Sequence, residues 1–298
     1  MPELPDITVY VESLAAKLAG ATLQRVRVMN PFVLRTAVPP IASAEGRRVT
    51  GLERLGKRVV IALDNEGGGD LFLVIHLMIA GRLQWLAAGA KPAKSALLAL
   101  EFDAGTLVLT EAGTQRRASL HLLAGREALA EADPGGVEPL AADLATFTER
   151  LKAENHTLKR ALTNPRLFSG IGNAYSDEIL HRARLSPVTL TRALDDAALQ
   201  RLHAATREVL LEWTERLRDE ASKAGGWPKK VSAFHPEMAV HGRYGQPCPV
   251  CGTPVQRIVH ADNETNYCAR CQTGGKLLAD RALSRLLKAS WPKTIDDL

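Results

Sequence analysis

The sequence predicts an α+β chain of several domains. Three observations carry this. Short branched-chain runs fill roughly the first 130 residues, apolar residues at three- and four-residue spacing run from about 142 to 222, and all four cysteines lie between Cys248 and Cys271. At 298 residues the chain is long enough for two domains and a small appendage, and its hydrophobic fraction of 46% is normal for a globular protein. The net charge of +5 is a mild excess that points to a polyanionic partner. No apolar run reaches the roughly 18 residues that a membrane helix needs. The stretch MPELPDITVY carries acids where a secretory leader carries bases. A cytoplasmic, nucleoid-associated protein is expected, and in a reducing compartment paired cysteines favour metal over disulfide.

The elements follow in order. ITVYVESLAAKLAG reads as a helix. ATLQRVRVMN, GRRVTGLERLGKRVVIALD, DLFLVIHLMIAGRLQWL, SALLALEFDAG and TLVLTEAG read as strands bounded by Gly, Asp and Asn. EADPGGVEPLAADL clusters Pro and Gly and reads as a linker. LATFTERLKAEN, TLKRALTN, AYSDEILHRARL and DDAALQRLHAATREVLLEWTERLRDEASKA read as helices, and GGWPKK ends that block. The tail after residue 274 contains one amphipathic helix, read as docking on the body in preference to binding a partner.

The cysteines form C-x2-C-x16-C-x2-C: Cys248, Cys251, Cys268 and Cys271. Each C-x2-C turn lets two sulfurs face one ion, and two such turns complete a tetrahedral shell. One Zn2+ is therefore expected. Four thiolates leave no open position, so the ion is structural. It holds up a hairpin too short to bury a core of its own. The spacing leaves open whether that hairpin presents a residue to DNA or only stabilises a domain.

Two further stretches carry chemistry. In MPELPD, removal of Met1 makes Pro2 the terminus, with a secondary amine that titrates well below lysine. Such an amine can attack a sugar C1′ and form an iminium, and Glu3 beside it can move protons. The same residues also suit a stiff N-terminal arm. In SGIGNAYSDEIL, Gly170 and Gly172 permit a tight turn into a helix, whose N-terminus is an anion site to which Asn173 can add a donor. That stretch equally suits an ordinary helix corner.

Together, MPELPD, RLGKRVV, IHLMIAGRL, LKRALTNPRLFSGIGNAYSDEILHRARLSP, MAVHGRYGQPCPVCGTPV and YCARCQT resemble the formamidopyrimidine-DNA glycosylase / endonuclease VIII family over nearly the whole chain. The resemblance implies an N-terminal helix with a two-layer β-sandwich as the catalytic domain (1–130), then a linker and first helix (131–152). A helix–two-turn–helix DNA-binding domain (153–235), a four-Cys zinc finger (236–273) and a helical tail (274–298) complete it. It also implies a monomer that acts on double-stranded DNA with oxidised or abasic lesions, removes the base and cuts the strand by β,δ-elimination. Pro2 looks like the nucleophile, Glu3 like the acid/base and Lys57 like the lysine gripping phosphate beside the lesion. His76 and Asn173 look like phosphate contacts, and Lys159 matches a lysine lining the lesion pocket. Read from the residues alone, Lys57 and Lys159 also suit solvated lysines, and His76 suits a core histidine.

The departures bear on substrate. The family's arginine five residues before the third cysteine is Asn263 here, which gives up a charge-assisted bond. Arg257, His260 and Arg270 are candidates to compensate. Of the three residues the family inserts where the base flips out, Ile79 stands at the Met, Arg116 at the Arg and Ala118 at the Phe. With alanine as a poor wedge, the expectation leans to the endonuclease VIII side: oxidised pyrimidines, abasic sites or a less common bulky lesion. A non-catalytic damaged-DNA-binding module and an RNA-associated zinc ribbon are the competing readings. An aromatic content of 5% offers the ribbon few stacking platforms.

Overall fold

The fold is described from a computed structural model. It describes residues 1–64, 69–112, 116–228, 235–260, 263–279, 285–290 and 292–297. Two compact units emerge. One comprises Met1–Pro134 with Trp213–Ser232, the other Gly135–Glu212 with Ala233–Leu298.

The first unit opens with helix α1 (Leu4–Leu18). Eight strands follow: β1 (Thr22–Val28), β2 (Arg47–Leu55), β3 (Arg58–Leu63), β4 (Leu71–His76), β5 (Gly81–Leu86), β6 (Ala96–Phe102), β7 (Gly105–Glu111) and β8 (Ser119–Ala124). A short helix, α2 (Gly125–Glu131), closes the run. The strands form one antiparallel ladder, β5-β7-β6-β1-β2-β3-β4-β8. Register shifts by a bulge in β2 between Val49 and Gly51, a device that bends a strand. Residues from both ends of the ladder share one core: Ile61, Leu73, Ile75 and Leu120 pack with Leu98, Leu100, Leu107 and Leu109. Two layers thus face each other across a common interior. Ile7, Tyr10, Leu14 and Leu18 of α1 enter the same core at helical spacing.

Strands β3 and β4 are apolar on both faces, which alternation alone does not explain. Val60, Ala62, Phe72 and Val74 form a second cluster on the outer face, covered by Leu129 of α2. A strand with both faces covered reads as a continuous apolar run.

The second unit contains α3 (Leu144–Lys152), α4 (Leu158–Thr163), α5 (Asn173–Ala183) and the long α6 (Asp196–Lys223), whose final residues from Trp213 belong to the first unit. Its hairpin is β9 (Gln256–His260) with β10 (Asn263–Tyr267), followed by α7 (Ala269–Thr273). Between α4 and α5 the chain makes two turns. Phe168 N–H and Leu167 N–H both donate to Asn164 O, and Gly170 takes a positive φ of 80°. A β-carbon at Gly136 would lie 2.4 Å from Pro165 O, so only glycine lets the linker close on these turns.

The tail helix expected after residue 274 falls partly outside the described residues. The described portion docks on the hairpin. Leu277 and Leu278 are buried with Ile258 and Tyr267, and Leu278 N–H donates to Tyr267 Oη at 2.8 Å. Among the described residues, no helix is long and apolar enough to cross a membrane.

Candidate DNA-repair site

The first unit gathers its candidate residues around the N-terminus of α1. Glu3 is the residue before the first turn, buried at 1% exposure. Its N–H donates to the Asp6 carboxylate at 2.8 Å, fixing the chain's entry into the helix. Burial lowers the pKa of the Met1 amine; Glu3 and Asp6 push it back up, while Arg82 and Lys57 push it down. Burial also drives Asp6 up to about 7, with the Glu3 N–H opposing and the charge of Glu3 adding.

Lys57 sits in the turn between β2 and β3, where Gly56 takes a φ of 61° and Arg54 Nη1 donates to Gly56 O at 2.7 Å. His76 ends β4 opposite Arg58. Burial, then the charges of Arg58, Lys57 and His121, lower its pKa to about 4. The ring is therefore neutral at neutral pH, and any phosphate contact is made by an N–H, not by a cation. Tyr10 clasps β5 onto α1, accepting from Leu83 N–H at 3.3 Å beside Arg82.

The turn after β4 puts Met78 at a φ of 52° and Ile79 at its tip, 56% exposed. A β-carbon at Gly81 would lie 2.2 Å from Leu77 O, so the turn closes only with glycine there. Ile79 thus has the exposure of a wedge. Arg116 is exposed too. Ala118 is not: it is 2% exposed, within the core. The Glu111 carboxylate accepts the N–H groups of Arg117 and Ala118, both at 3.0 Å. The third wedge position is therefore turned inward, a stronger departure than a small side chain on the surface.

The second unit gathers its candidates around α5. Lys159 is neither solvated nor loose: its side chain is 14% exposed, and Nζ donates to Asn173 O and to Asp177 Oδ1, each at 2.6 Å. Asn173 opens α5, at the positive end of the helix dipole. Its Nδ2 donates to Glu264 O of β10 at 2.9 Å, which leaves one amide hydrogen for a ligand.

Three acceptors and donors that the sequence did not single out tie this unit together. Asp177 Oδ2 accepts from Asn266 N–H at 3.1 Å and pairs with His241 Nδ1 at 2.8 Å. Glu178 accepts the N–H groups of Ala239, Val240 and His241 within 2.9 Å. Burial raises the Glu178 pKa, and those three donors pull it down. Asp6, Arg82, Asp177 and Glu178 were missed because acids in a helix and an arginine on a strand are ordinarily solvated. The one available signal was the E-x-x-D spacing of Glu3 and Asp6.

The four cysteine sulfurs converge, all within 4.8 Å of one another. Cys248 and Cys271 are 4.0 Å apart and Cys251 and Cys268 3.4 Å. Zn–S bonds of about 2.3 Å in a tetrahedron require sulfurs about 3.8 Å apart, so the set fits zinc. One structural zinc is bound by these four residues. Asn263 lies exposed at the start of β10, next to Glu264, whose carbonyl accepts from Asn173. Of its possible substitutes, Arg257 pairs with Glu264 at 3.0 Å and stacks on Tyr244, and Arg270 pairs with Asp296 at 2.5 Å.

Three family models match in chain order. They are the formamidopyrimidine-DNA glycosylase N-terminal domain over residues 1–118, that enzyme's H2TH domain over 136–222, and the zinc finger found in FPG and IleRS over 245–274. The formamidopyrimidine-DNA glycosylase of Thermus thermophilus is 37% identical over 293 residues, covering 92% of this chain and all of the relative. The chain belongs to the formamidopyrimidine-DNA glycosylase / endonuclease VIII family. Another member, the formamidopyrimidine-DNA glycosylase of Symbiobacterium thermophilum, is 32% identical and covers 91% of this chain and 89% of the relative. Among solved structures, the MutM (Fpg) protein of Thermus thermophilus superposes with a TM-score of 0.73 at 34% identity, covering 91% of this chain and 98% of that one. The Lactococcus lactis Fpg bound to DNA containing an oxidised pyrimidine gives 0.77 at 25% identity, covering 91% and all of it. The family's order of helix, sandwich, two-turn helical domain and zinc finger is the order found here.

Proposed function

We propose that this chain is a bifunctional DNA glycosylase and abasic-site lyase of base-excision repair, with Pro2 as the nucleophile once Met1 is removed. Its membership of the family and the lesion- and abasic-site DNA seen in complexes of its relatives support duplex DNA as the partner. The observation that carries the mechanism is the placement of Pro2 and Glu3, both buried at the start of α1. Once Met1 is removed, the Pro2 nitrogen is a secondary amine whose uncharged form has a lone pair to donate beside the Glu3 carboxylate.

The Pro2 nitrogen forms a bond to C1′ as the bond from C1′ to the base breaks, and the base leaves with the electron pair and takes up a proton. Glu3 protonates O4′ as the sugar ring opens, which leaves an iminium. Loss of a C2′ proton expels the 3′ phosphate, loss of a further sugar proton expels the 5′ phosphate, and water then hydrolyses the iminium to free Pro2. Lys57, neutral His76, Asn173 and Asn263 hold phosphates, a grip that carries no sequence information, while Arg116 enters the gap with Ile79. Lys159 acts from behind, by fixing the Asn173 carbonyl. Flipping the damaged nucleotide costs a few kcal/mol of stacking, which Ile79 offsets by filling the gap.

Oxidised pyrimidines and abasic sites are the proposed substrates. The inward-facing Ala118 and the uncharged Asn263 support that choice, because both remove contacts that the family directs at the gap. Comparable excision of 8-oxoguanine and thymine glycol from matched duplexes counts against it.

Borohydride trapping on abasic DNA tests the chemistry, because borohydride reduces an iminium to a permanent protein–DNA bond. The native N-terminus is expected to cross-link and to leave a β,δ-cut strand. Pro2→Gly and a Met1-retaining form are expected to lose most of the cross-link. DNA binding without any cross-link replaces the enzyme with a damaged-DNA-binding module.

A further inference from the structure

We infer that His181 supports the zinc centre from outside its ligand set, by donating Nε2–H to the Cys248 thiolate. Through that bond, zinc occupancy acts on the helix that presents Asn173 to DNA. His181 is buried on α5, with Nε2 3.3 Å from Cys248 Sγ. A sulfur bound to zinc is a thiolate, which accepts and does not donate. The ring nitrogen facing it therefore carries the hydrogen, in either charge state of the ring.

Two of the other sulfurs have nearby donors within the zinc module. Cys268 Sγ accepts the Cys271 N–H at 3.5 Å, and Cys251 is hydrogen-bonded by Thr253. A four-thiolate zinc site carries net negative charge, and each N–H placed on a sulfur disperses some of it. Cys248 is the ligand served by a side chain from another element.

The position of that side chain gives the bond its reach. His181 stands about one turn beyond Asp177 (i,i+4) and Glu178 (i,i+3) on α5. Asp177 holds Asn266 N–H and His241, and Glu178 holds the N–H groups of residues 239–241. These two grips seize backbone and imidazole. The third seizes a metal ligand. The same helix begins at Asn173, whose side chain donates to Glu264 O of the hairpin. Loss of zinc thus removes one of the holds on the helix that begins at Asn173.

The test uses the full chain with zinc replaced by cobalt(II), whose thiolate charge-transfer band reports electron density on sulfur. His181→Phe keeps the ring and removes the donor; His181→Gln keeps a donor at similar reach. With Phe, the band is expected to move to lower energy, and zinc is expected to pass to a competing chelator with an affinity lower on the order of ten- to a hundred-fold. Gln is expected to restore most of both. An unchanged band and affinity in folded His181→Phe overturns the inference. So does an equal loss in both variants, which reports packing alone. The unmodified chain loaded with cadmium-113 gives an answer that needs no variant. A scalar coupling between the metal and the His181 Nε2–H, carried through Sγ, is expected, and its absence overturns the assignment.

Discussion

At the N-terminus of α1, burial acts on groups beside the proposed nucleophile. At the N-terminus of α5, burial surrounds charges that are already matched. The Met1 amine, Asp6 and His76 are all moved from their ordinary titration ranges chiefly by desolvation. Asp177, by contrast, is 1% exposed and meets Lys159, His241 and the Asn266 N–H. In the proposed function the first region keeps reactive groups poised; the second uses charge to hold backbone in place. The difference separates reactivity from grip: a nucleophile needs an incomplete environment, whereas a phosphate clamp needs a complete one.

Removing zinc is the broadest way to break the second region. Structural zinc is worth about 10–16 kcal/mol to small metal modules, so chelation or Cys268→Ala is expected to unfold the hairpin and abolish DNA binding. Calorimetry with and without chelator checks whether a transition is lost while the sandwich transition persists.

Asp177→Asn removes one charge from a buried pair and leaves the Lys159 ammonium uncompensated. A loss of about 3–5 kcal/mol in urea unfolding is expected. The double variant with Lys159→Gln is expected to recover part of it, which distinguishes a broken pair from a damaged helix.

The first region is sharpened by pH. The folded pKa of His76 is depressed to about 4 from 6.5, so the folded protein binds fewer protons than the unfolded chain between those values. Its contribution is fully present above pH 6.5 and is lost as pH falls through 4, by up to about 3 kcal/mol. His76→Gln is expected to flatten stability across that window. A wild-type slope in the variant assigns the loss to other groups.

The smallest effect is expected at Arg116. Exposed and proposed as one cation entering the duplex beside Ile79, its change to Ala is expected to weaken binding to all duplexes alike. The slope of log affinity against log salt should fall by about one.

The sequence made the zinc ligands legible, because two C-x2-C turns at that separation have few other uses. It made the strand-then-helix order legible through periodicity. It did not reveal that Asp177 and Glu178 face inward. Adjacent acids on a helix ordinarily face water, and the N–H groups that receive them lie about 60 to 90 residues further on. Lys159 shows the same limit, since its partner is recognisable only once α4 and α5 pack. Ala118 is a subtler case: its place in a motif suggested a surface, and the Glu111 carboxylate turns it into the core.

That inward turn closes an evolutionary route. A chain with alanine where relatives carry a large aromatic looks one substitution away from recovering it. Here Ala118→Phe places a ring among Leu77, Leu83 and Leu109 of a filled interior, where overpacking costs about 1–3 kcal/mol. Recovering the aromatic wedge therefore requires releasing the Glu111 clamp and rebuilding the loop together. Two changes that are each harmful alone lie between this chain and an aromatic at residue 118, so that position is insulated from drift by single substitution.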